Sequence, residues 1–561
     1  MASSEISSQA LGRGLFNRFL DRAVSWLLGF PPERCDYTTR GVHIPVSDGL
    51  QRTDLLANLL QPLFNDGAKP LGTVLFRSPY GRGLPIGITT RAYAARGYQV
   101  LVVSSRGTFG SGGEFDPFRT EVQDGKDVIE WMRKQPWYTG TFATCGGSYL
   151  GFVQWALLCD PPEDLVAAVP GVSPHEYARL FWDSGALNLD VVSWADMIAH
   201  QEEAFSFWKA LTSSRWRRFK AALDGVPLAK TIQAYFDGKA PWLDTILAKS
   251  DLRDAHYAPG RLEQALERTE IPVLIITGWY DLFLEQSIQQ YIRLKERNCN
   301  VALTAGPWSH IMSGFAPQMN RHGFDWIEEH LAGNVEAKRT ATVQYFVTGI
   351  KEWRGASVYP PHTFPSTYYL NDGAKLTNEP ASATSAYSDF TFDPRKPTPT
   401  MGGNSLTTGG VVNDSALAGR SDVLVFDTAP LDEDVEFCGK PTIELVHSTN
   451  SPFADVFVRV SEVDKKGRSH NVTETYKRLD SNRVGVAVVN LALNHCSHRF
   501  LRGKRIRVLV AGGNFPQYAK NHGVEDVANL GSEMRAVEHT VYHDKHRVSK
   551  VIFPVVTAEL G

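Results

Sequence analysis

Three residues in this chain have the types and the order needed for acyl transfer: Ser148, Asp281 and His310. A serine hydroxyl is weakly nucleophilic until an imidazole takes its proton. The imidazole must present the correct tautomer, which a carboxylate on its other nitrogen enforces. Ser148 stands in Gly146-Gly147-Ser148-Tyr149-Leu150-Gly151. An apolar lead-in, Thr141-Phe142-Ala143-Thr144, reads as a short buried strand, and Phe152 to Leu158 reads as a helix. A strand turning sharply into a helix at a serine is a nucleophile elbow. The usual pattern has glycine two residues after the serine. Here that position is Leu150 and glycine follows at Gly151, so the motif is Gly-x-Ser-Tyr-x-Gly. Taken singly, each residue has a bland reading. Ser148 fits an incidental Gly-rich turn, Asp281 a helix N-cap before Leu282-Phe283-Leu284, and His310 a structural histidine.

The elements around these residues weigh against coincidence. Thr73 to Phe76, Tyr98 to Val103, Ala167 to Pro170, Ile271 to Thr277 and Val301 to Thr304 are short apolar runs, and helical segments alternate with most of them. That alternation predicts a parallel sheet covered on both faces. Val42 to Val46 and Thr53 to Ala57 look like an opening antiparallel pair turned at Asp48-Gly49. Ser148, Asp281, His310 and Tyr80 each follow a predicted strand, and ligands in open parallel sheets bind beyond the carboxyl ends of strands. Residues 176–265 interrupt the alternation with helix-like segments rich in aromatics, among them Trp182, Trp194, Phe205, Phe207, Trp208 and Trp242. They predict a helical cap. From about Thr342 short strands separated by Gly, Pro, Asn and Asp turns predict an all-β sandwich or jelly roll, with 372–420 as long surface loops with few strands.

Bulk properties narrow the partners. A length of 561 residues allows about three or four domain-sized units. A net charge of −3 without a long basic run makes nucleic acid a poor partner. Six cysteines lack ligand spacing, so neither a zinc site nor a disulfide framework is expected, and no metal or organic cofactor is implied. The glycine-rich loop Arg106 to Glu114 lacks the Gly-Lys-Ser/Thr ending of a phosphate loop. Residues 11–29 carry an apolar stripe broken by Arg13, Arg18, Asp21 and Arg22. They read as an amphipathic helix packed on the body of the protein, not a secretory signal. No run of about 18 apolar residues predicts a membrane span, and a cytoplasmic location follows.

The motifs together resemble one family: cocaine esterase, α-amino-acid ester hydrolases and X-prolyl dipeptidyl peptidases. Arg77-Ser78-Pro79-Tyr80, Gly146 to Gly151, Gly278-Trp279-Tyr280-Asp281 and Gly306-Pro307-Trp308-Ser309-His310 carry the resemblance, which spans roughly residues 37–556. It implies an α/β-hydrolase core at 37–175 and 266–340, a cap at 176–265 and a C-terminal jelly roll at 341–561. Residues 1–36 form a separate amphipathic extension. The resemblance also implies an oxyanion hole made by the Tyr80 hydroxyl and the Tyr149 backbone N–H, and a pocket lined by Trp182, Trp194 and Phe283. The expected activity is hydrolysis of a small carboxylic ester through an acyl-enzyme. Acyl transfer or cyclisation through the same intermediate is a second reading. A third is dipeptidyl-peptidase or amino-acid ester activity, which needs a carboxylate such as Glu285 or Asp183 for a free α-amine. A fourth is a non-catalytic binding protein. The β domain and the N-terminal helix are the surfaces a homo-oligomer would use.

Overall fold

The runs Thr73–Ser78 and Gln99–Ser104 are buried along their whole length, so each strand needs cover on both faces. The computed structural model describes residues 10–47, 52–64, 67–203, 214–337, 339–483 and 485–556. The Asp48-Gly49 turn and Phe205, Phe207 and Trp208 lie outside the described residues. The first strands in chain order are β1 (Leu11–Gly12), β2 (Asp36–Ser47), β3 (Arg52–Leu63), β4 (Thr73–Ser78), β5 (Gln99–Ser104) and β6 (Phe142–Gly147). They are followed by β7 (Leu165–Gly171), β8 (Val273–Tyr280), β9 (Val301–Ser309), β10 (Val343–Val347) and β11 (Glu352–Ala356). These eleven form one sheet in the order β1-β2-β3-β5-β4-β6-β7-β8-β9-β10-β11. Every neighbouring pair from β5 through β10 is parallel.

Alternate side chains of these strands enter two cores. Val74, Phe76, Val100 and Val102 face helices α2 (Ile86–Ala94) and α13 (Pro317–His330), the second and last of the helices described. Leu75, Leu101 and Val103 face α3 (Glu121–Arg133), α4 (Tyr149–Leu158) and α11 (Leu284–Glu296). Between β7 and β8 lie α5 (Tyr177–Trp182), α6 (Asp190–His200), α7 (Arg215–Asp224), α8 (Leu228–Phe236), α9 (Pro241–Ala248) and α10 (Glu263–Arg268). Their aromatics continue the second core across the carboxyl edge of the sheet. Trp194 packs against Trp242 at 5.2 Å between ring centroids and stacks on Tyr149 at 6.0 Å. Arg106 is locked on Asp124 through a two-pronged contact at 2.8 and 2.9 Å, which fixes the glycine-rich loop.

The remaining strands form a second, thirteen-stranded sheet, antiparallel but for one pair, folded around its own apolar core. Two expectations fail here. Val343–Val347 does not open this sheet. As β10 it pairs in parallel with β9 and antiparallel with β11, inside the first sheet. Its buried residues Val343, Tyr345 and Val347 complete the core already formed by β8 and β9, and Arg339 ties the entry to it by bonding the Leu303 carbonyl at 3.2 Å and the Thr304 hydroxyl at 3.1 Å. The segment 372–420 has few strands, as expected, Lys375–Thr377 and Tyr387–Phe392, but it does not lie wholly on the surface: its residues Thr398, Asn404, Ser405 and Asp414 are buried. Polar side chains hid this: inside the protein Thr398 bonds Asp422, Asp414 accepts the Ser461 hydroxyl, and Asn404 and Ser405 reach Asp281 and Asp190 of the first domain.

The N-terminal helix α1 (Leu15–Leu27) packs on the body, as expected, but by its polar face. Arg13 pairs with Glu33 at 2.8 Å and Asp36 at 3.1 Å, Asp21 pairs with Arg91 at 3.0 Å and accepts the Tyr37 hydroxyl at 2.8 Å. The apolar stripe points outward. Among the described residues no helix is long and apolar enough to cross a membrane.

Candidate active site

Ser148 sits between β6 and α4 with φ 61° and ψ −127°. For a residue with a Cβ this backbone costs on the order of 1–3 kcal/mol and persists only where the surroundings dictate it. β6 and α4 do so, because both are buried and meet at a sharp angle. The close approach that demands glycine falls three residues on. A Cβ on Gly151 would lie 2.4 Å from the Ser173 Cβ and 3.1 Å from the Gly171 carbonyl oxygen. Leu150, where the usual pattern has glycine, instead puts its side chain into the core beside β4 and β7. The shifted motif is thus the same turn with its tight contact displaced by one residue.

Asp281 follows β8 and His310 follows β9, so adjacent parallel strands deliver them side by side. The Asp281 Oδ2 lies 2.6 Å from His310 Nδ1, and His310 Nε2 lies 2.9 Å from the Ser148 Oγ. A carboxylate at Nδ1 keeps the proton there and leaves Nε2 as acceptor for the serine hydroxyl. The other carboxylate oxygen of Asp281 accepts the Phe283 N–H at 2.7 Å. Asp281 is buried, and so is His310. Such a chain can draw a proton from serine and return it to a leaving group.

Tyr80 follows β4, the neighbour of β6, and its hydroxyl accepts the indole N–H of Trp194 at 3.1 Å. Burial pushes the phenol above its ordinary value, against its hydrogen bonds with Trp194 and Ser148, so it stays a neutral donor. As the first residue of α4, Tyr149 has a backbone N–H without an intrahelical acceptor. Its side chain is clamped. The hydroxyl donates to Glu121 at 2.9 Å and accepts the Phe118 N–H at 3.0 Å, and Glu121 is ion-paired with Arg77.

A cavity of about 30 Å³ reaches Ser148, His310, Tyr80, Trp194 and Phe283. Phe283 packs edge-on against the His310 ring at 5.4 Å. Trp182 is not part of this lining: its indole N–H bonds the Ile246 carbonyl at 3.2 Å inside the cap, because the end of α5 faces α9. Among the lining residues that carried no sequence signal are Leu406, from the β domain, Phe118, and Asp190 at the start of α6. Burial raises the Asp190 carboxyl to about 6. One of its oxygens accepts the Ser405 hydroxyl at 3.1 Å, and the other has no hydrogen-bond partner among the described residues. A larger cavity of about 380 Å³ lies next to the first, and both share Leu180 and Leu282. Glu285 and Asp183 line this outer cavity, where Glu285 pairs with Lys440 and Asp183 with Arg179 at 3.3 Å. Among the described residues no group of three or more His, Cys, Asp or Glu could hold a metal ion.

Known proteins share this arrangement along nearly the whole chain. The profile of the X-Pro dipeptidyl-peptidase (S15) family matches residues 48–312, and that of the X-Pro dipeptidyl-peptidase C-terminal non-catalytic domain matches 335–552. The chain belongs to the X-Pro dipeptidyl-peptidase (S15) family. As a member of the S15 family it is an enzyme, a serine hydrolase with an α/β-hydrolase core and a C-terminal all-β domain. It is similar to the cocaine esterase of Rhodococcus sp. (strain MB1 Bresler), 26% identical over 92% of this chain and 98% of that one. Its fold is that of an α-amino acid ester hydrolase (TM-score 0.79, 22% identity, 93% of this chain and 97% of that one). An aminopeptidase from a marine sediment Thaumarchaeota archaeon shares it equally (TM-score 0.79, 22% identity, 94% and 98%).

Proposed function

We propose that this protein hydrolyses a carboxylic ester through an acyl-enzyme on Ser148. His310 takes the serine proton as the Oγ attacks the carbonyl carbon, and Asp281 orients the imidazole and stabilises its charge. The Tyr80 hydroxyl and the Tyr149 N–H hold the oxyanion. His310 then protonates the leaving alcohol, and a water deprotonated by the same imidazole releases the acid. The observation that carries this reading is the unbroken Asp281–His310–Ser148 chain at 2.6 and 2.9 Å. Trp194 and Phe283 bound the acyl side of the pocket. Similarity to a cocaine esterase supports an ester as the substrate. Transfer of the acyl group to an alcohol or amine, or cyclisation, would use the same intermediate, and product analysis with added acceptors separates it from hydrolysis.

A second reading, amino-acid ester or dipeptide cleavage, is favoured by one observation: the unpartnered oxygen of Asp190 beside the pocket. Glu285 and Asp183 do not serve it, being paired in the outer cavity. The test is Ser148→Ala with a panel of p-nitrophenyl esters and amino-acid p-nitroanilides. Turnover of one class, lost in Ser148→Ala, with a fluorophosphonate labelling Ser148 alone, is the expected result. Substantial turnover by a folded Ser148→Ala variant would exclude the assignment.

A further inference from the structure

The outward face of α1 calls for a partner. Leu15, Phe16, Phe19, Leu20, Trp26 and Leu27 are 44–83% exposed, and Leu11 just before the helix is exposed as well. At 100° per residue the six helical side chains, with Ala23, fall within one arc of about 140°. Large apolar side chains this exposed present on the order of 800 Å², beyond the ~300–600 Å² of the largest patch on a typical monomer. The helix cannot roll over to bury them, because its other face is pinned by the ion pairs of Arg13 and Asp21. The C-terminal end of α1 lies against Pro317, a few residues past His310. Gly29, just past the helix, lies so close to Pro317 that a Cβ would fall 2.6 Å from its carbonyl oxygen. Between His310 and Pro317, in the short helix α12 (His310–Ser313) and the turn after it, Ile311, Met312 and Phe315 are exposed.

We propose that α1 seats the enzyme on a lipid surface bearing anionic headgroups. The composition decides for lipid over a second copy of the chain. Phenylalanine, leucine and tryptophan on one face, with arginine on the polar side, suit a helix lying in the plane of a bilayer interface. Trp26 stands about 20° inside one edge of the arc, next to Leu15, where an indole sits at headgroup level. Arg18 and Arg22 flank the arc on one side, Arg18 paired with Asp36 and Arg22 with Glu33 at 2.9 Å, and with side chains 44% and 67% exposed they still present guanidinium N–H groups that would meet phosphates.

The test uses the full-length protein and sedimentation with phosphatidylcholine vesicles, with and without about one-third phosphatidylserine. The wild type should sediment with the anionic vesicles. Phe19→Ser/Trp26→Ser should bind at least tenfold more weakly while cleaving a p-nitrophenyl ester at the wild-type rate in vesicle-free buffer, which shows that it is folded. Arg22→Glu should bind less than the wild type. Absence of wild-type binding, or undiminished binding by the double variant, overturns the proposal. So does a wild-type dimer that the double variant splits into monomers without any vesicle binding, which would assign the face to a second copy.

Discussion

The Asn404 side-chain amide donates to the backbone carbonyl of Asp281 at 2.9 Å and to that of Trp279 at 3.1 Å. A residue of the β domain thereby fixes the main chain that presents the carboxylate to His310. Asn404 is itself held. Its side-chain oxygen accepts the Asn494 amide at 2.9 Å, its carbonyl accepts the Gln517 amide at 2.9 Å, and its N–H reaches Glu474, which pairs with the buried Arg459. Asn404→Ala should leave the β domain folded and lower kcat on the order of 10- to 100-fold with KM little changed, because a small displacement of the acid is felt in the proton transfer. Steady-state kinetics decide it. An unchanged kcat would make the contact a packing detail.

Tyr80→Phe keeps the ring and removes the oxyanion donor. The expected loss is about 10²–10³ in kcat, roughly 3–4 kcal/mol, with thermal stability unchanged. Some activity should survive above that of Ser148→Ala, since the Tyr149 N–H remains. Trp194→Phe, which removes the N–H that orients the Tyr80 hydroxyl, should fall between Tyr80→Phe and the wild type. Wild-type turnover by Tyr80→Phe would move the second donor elsewhere.

Asp190 predicts a pH signature. Its folded carboxyl is raised from 3.8 to about 6 by burial. The folded state therefore holds this proton more tightly than the unfolded chain does. The associated stability is fully present below about pH 4 and is lost as the pH rises through about 6, amounting to roughly 3 kcal/mol. Asp190→Asn keeps an acceptor for Ser405 and cannot ionise. It should melt higher than the wild type at pH 7.5, and the difference should shrink toward pH 4. Parallel melting curves across that range would show that Asp190 does not titrate there.

A chain ended after Arg339 loses β10 and β11 from the first sheet as well as the entire second sheet. Exposing the edge of β9 and uncovering Asp281 should leave it aggregated or inactive. A monodisperse, fully active product would show that the first sheet needs neither.

The parallel sheet, the cap and the β domain were legible in the sequence because each rests on local pattern: apolar runs of strand length, aromatic helical stretches, then short strands with turns. Ser148, Asp281, His310 and Tyr80 were legible for the same reason, since each directly follows a strand with its own short motif. The sites that depend on distant contacts were not. Trp182 and Trp194 are both cap tryptophans, and only packing sends one to Ile246 and the other to Tyr80. Val343–Val347 has the pattern of any short strand, and the free edge of β9 decided its sheet. Asn404 lies in a polar stretch that reads as surface, and its burial follows from carbonyls more than a hundred residues away. The amphipathic period of α1 was visible, but not which face meets the body; in the structure Glu33, Asp36 and Arg91 pair with Arg13, Arg18, Arg22 and Asp21 on its polar side. Sequence determined what each segment can form and what its local motif can do. Tertiary structure decided which side chains meet, because those encounters depend on long-range complementarity that no local pattern records.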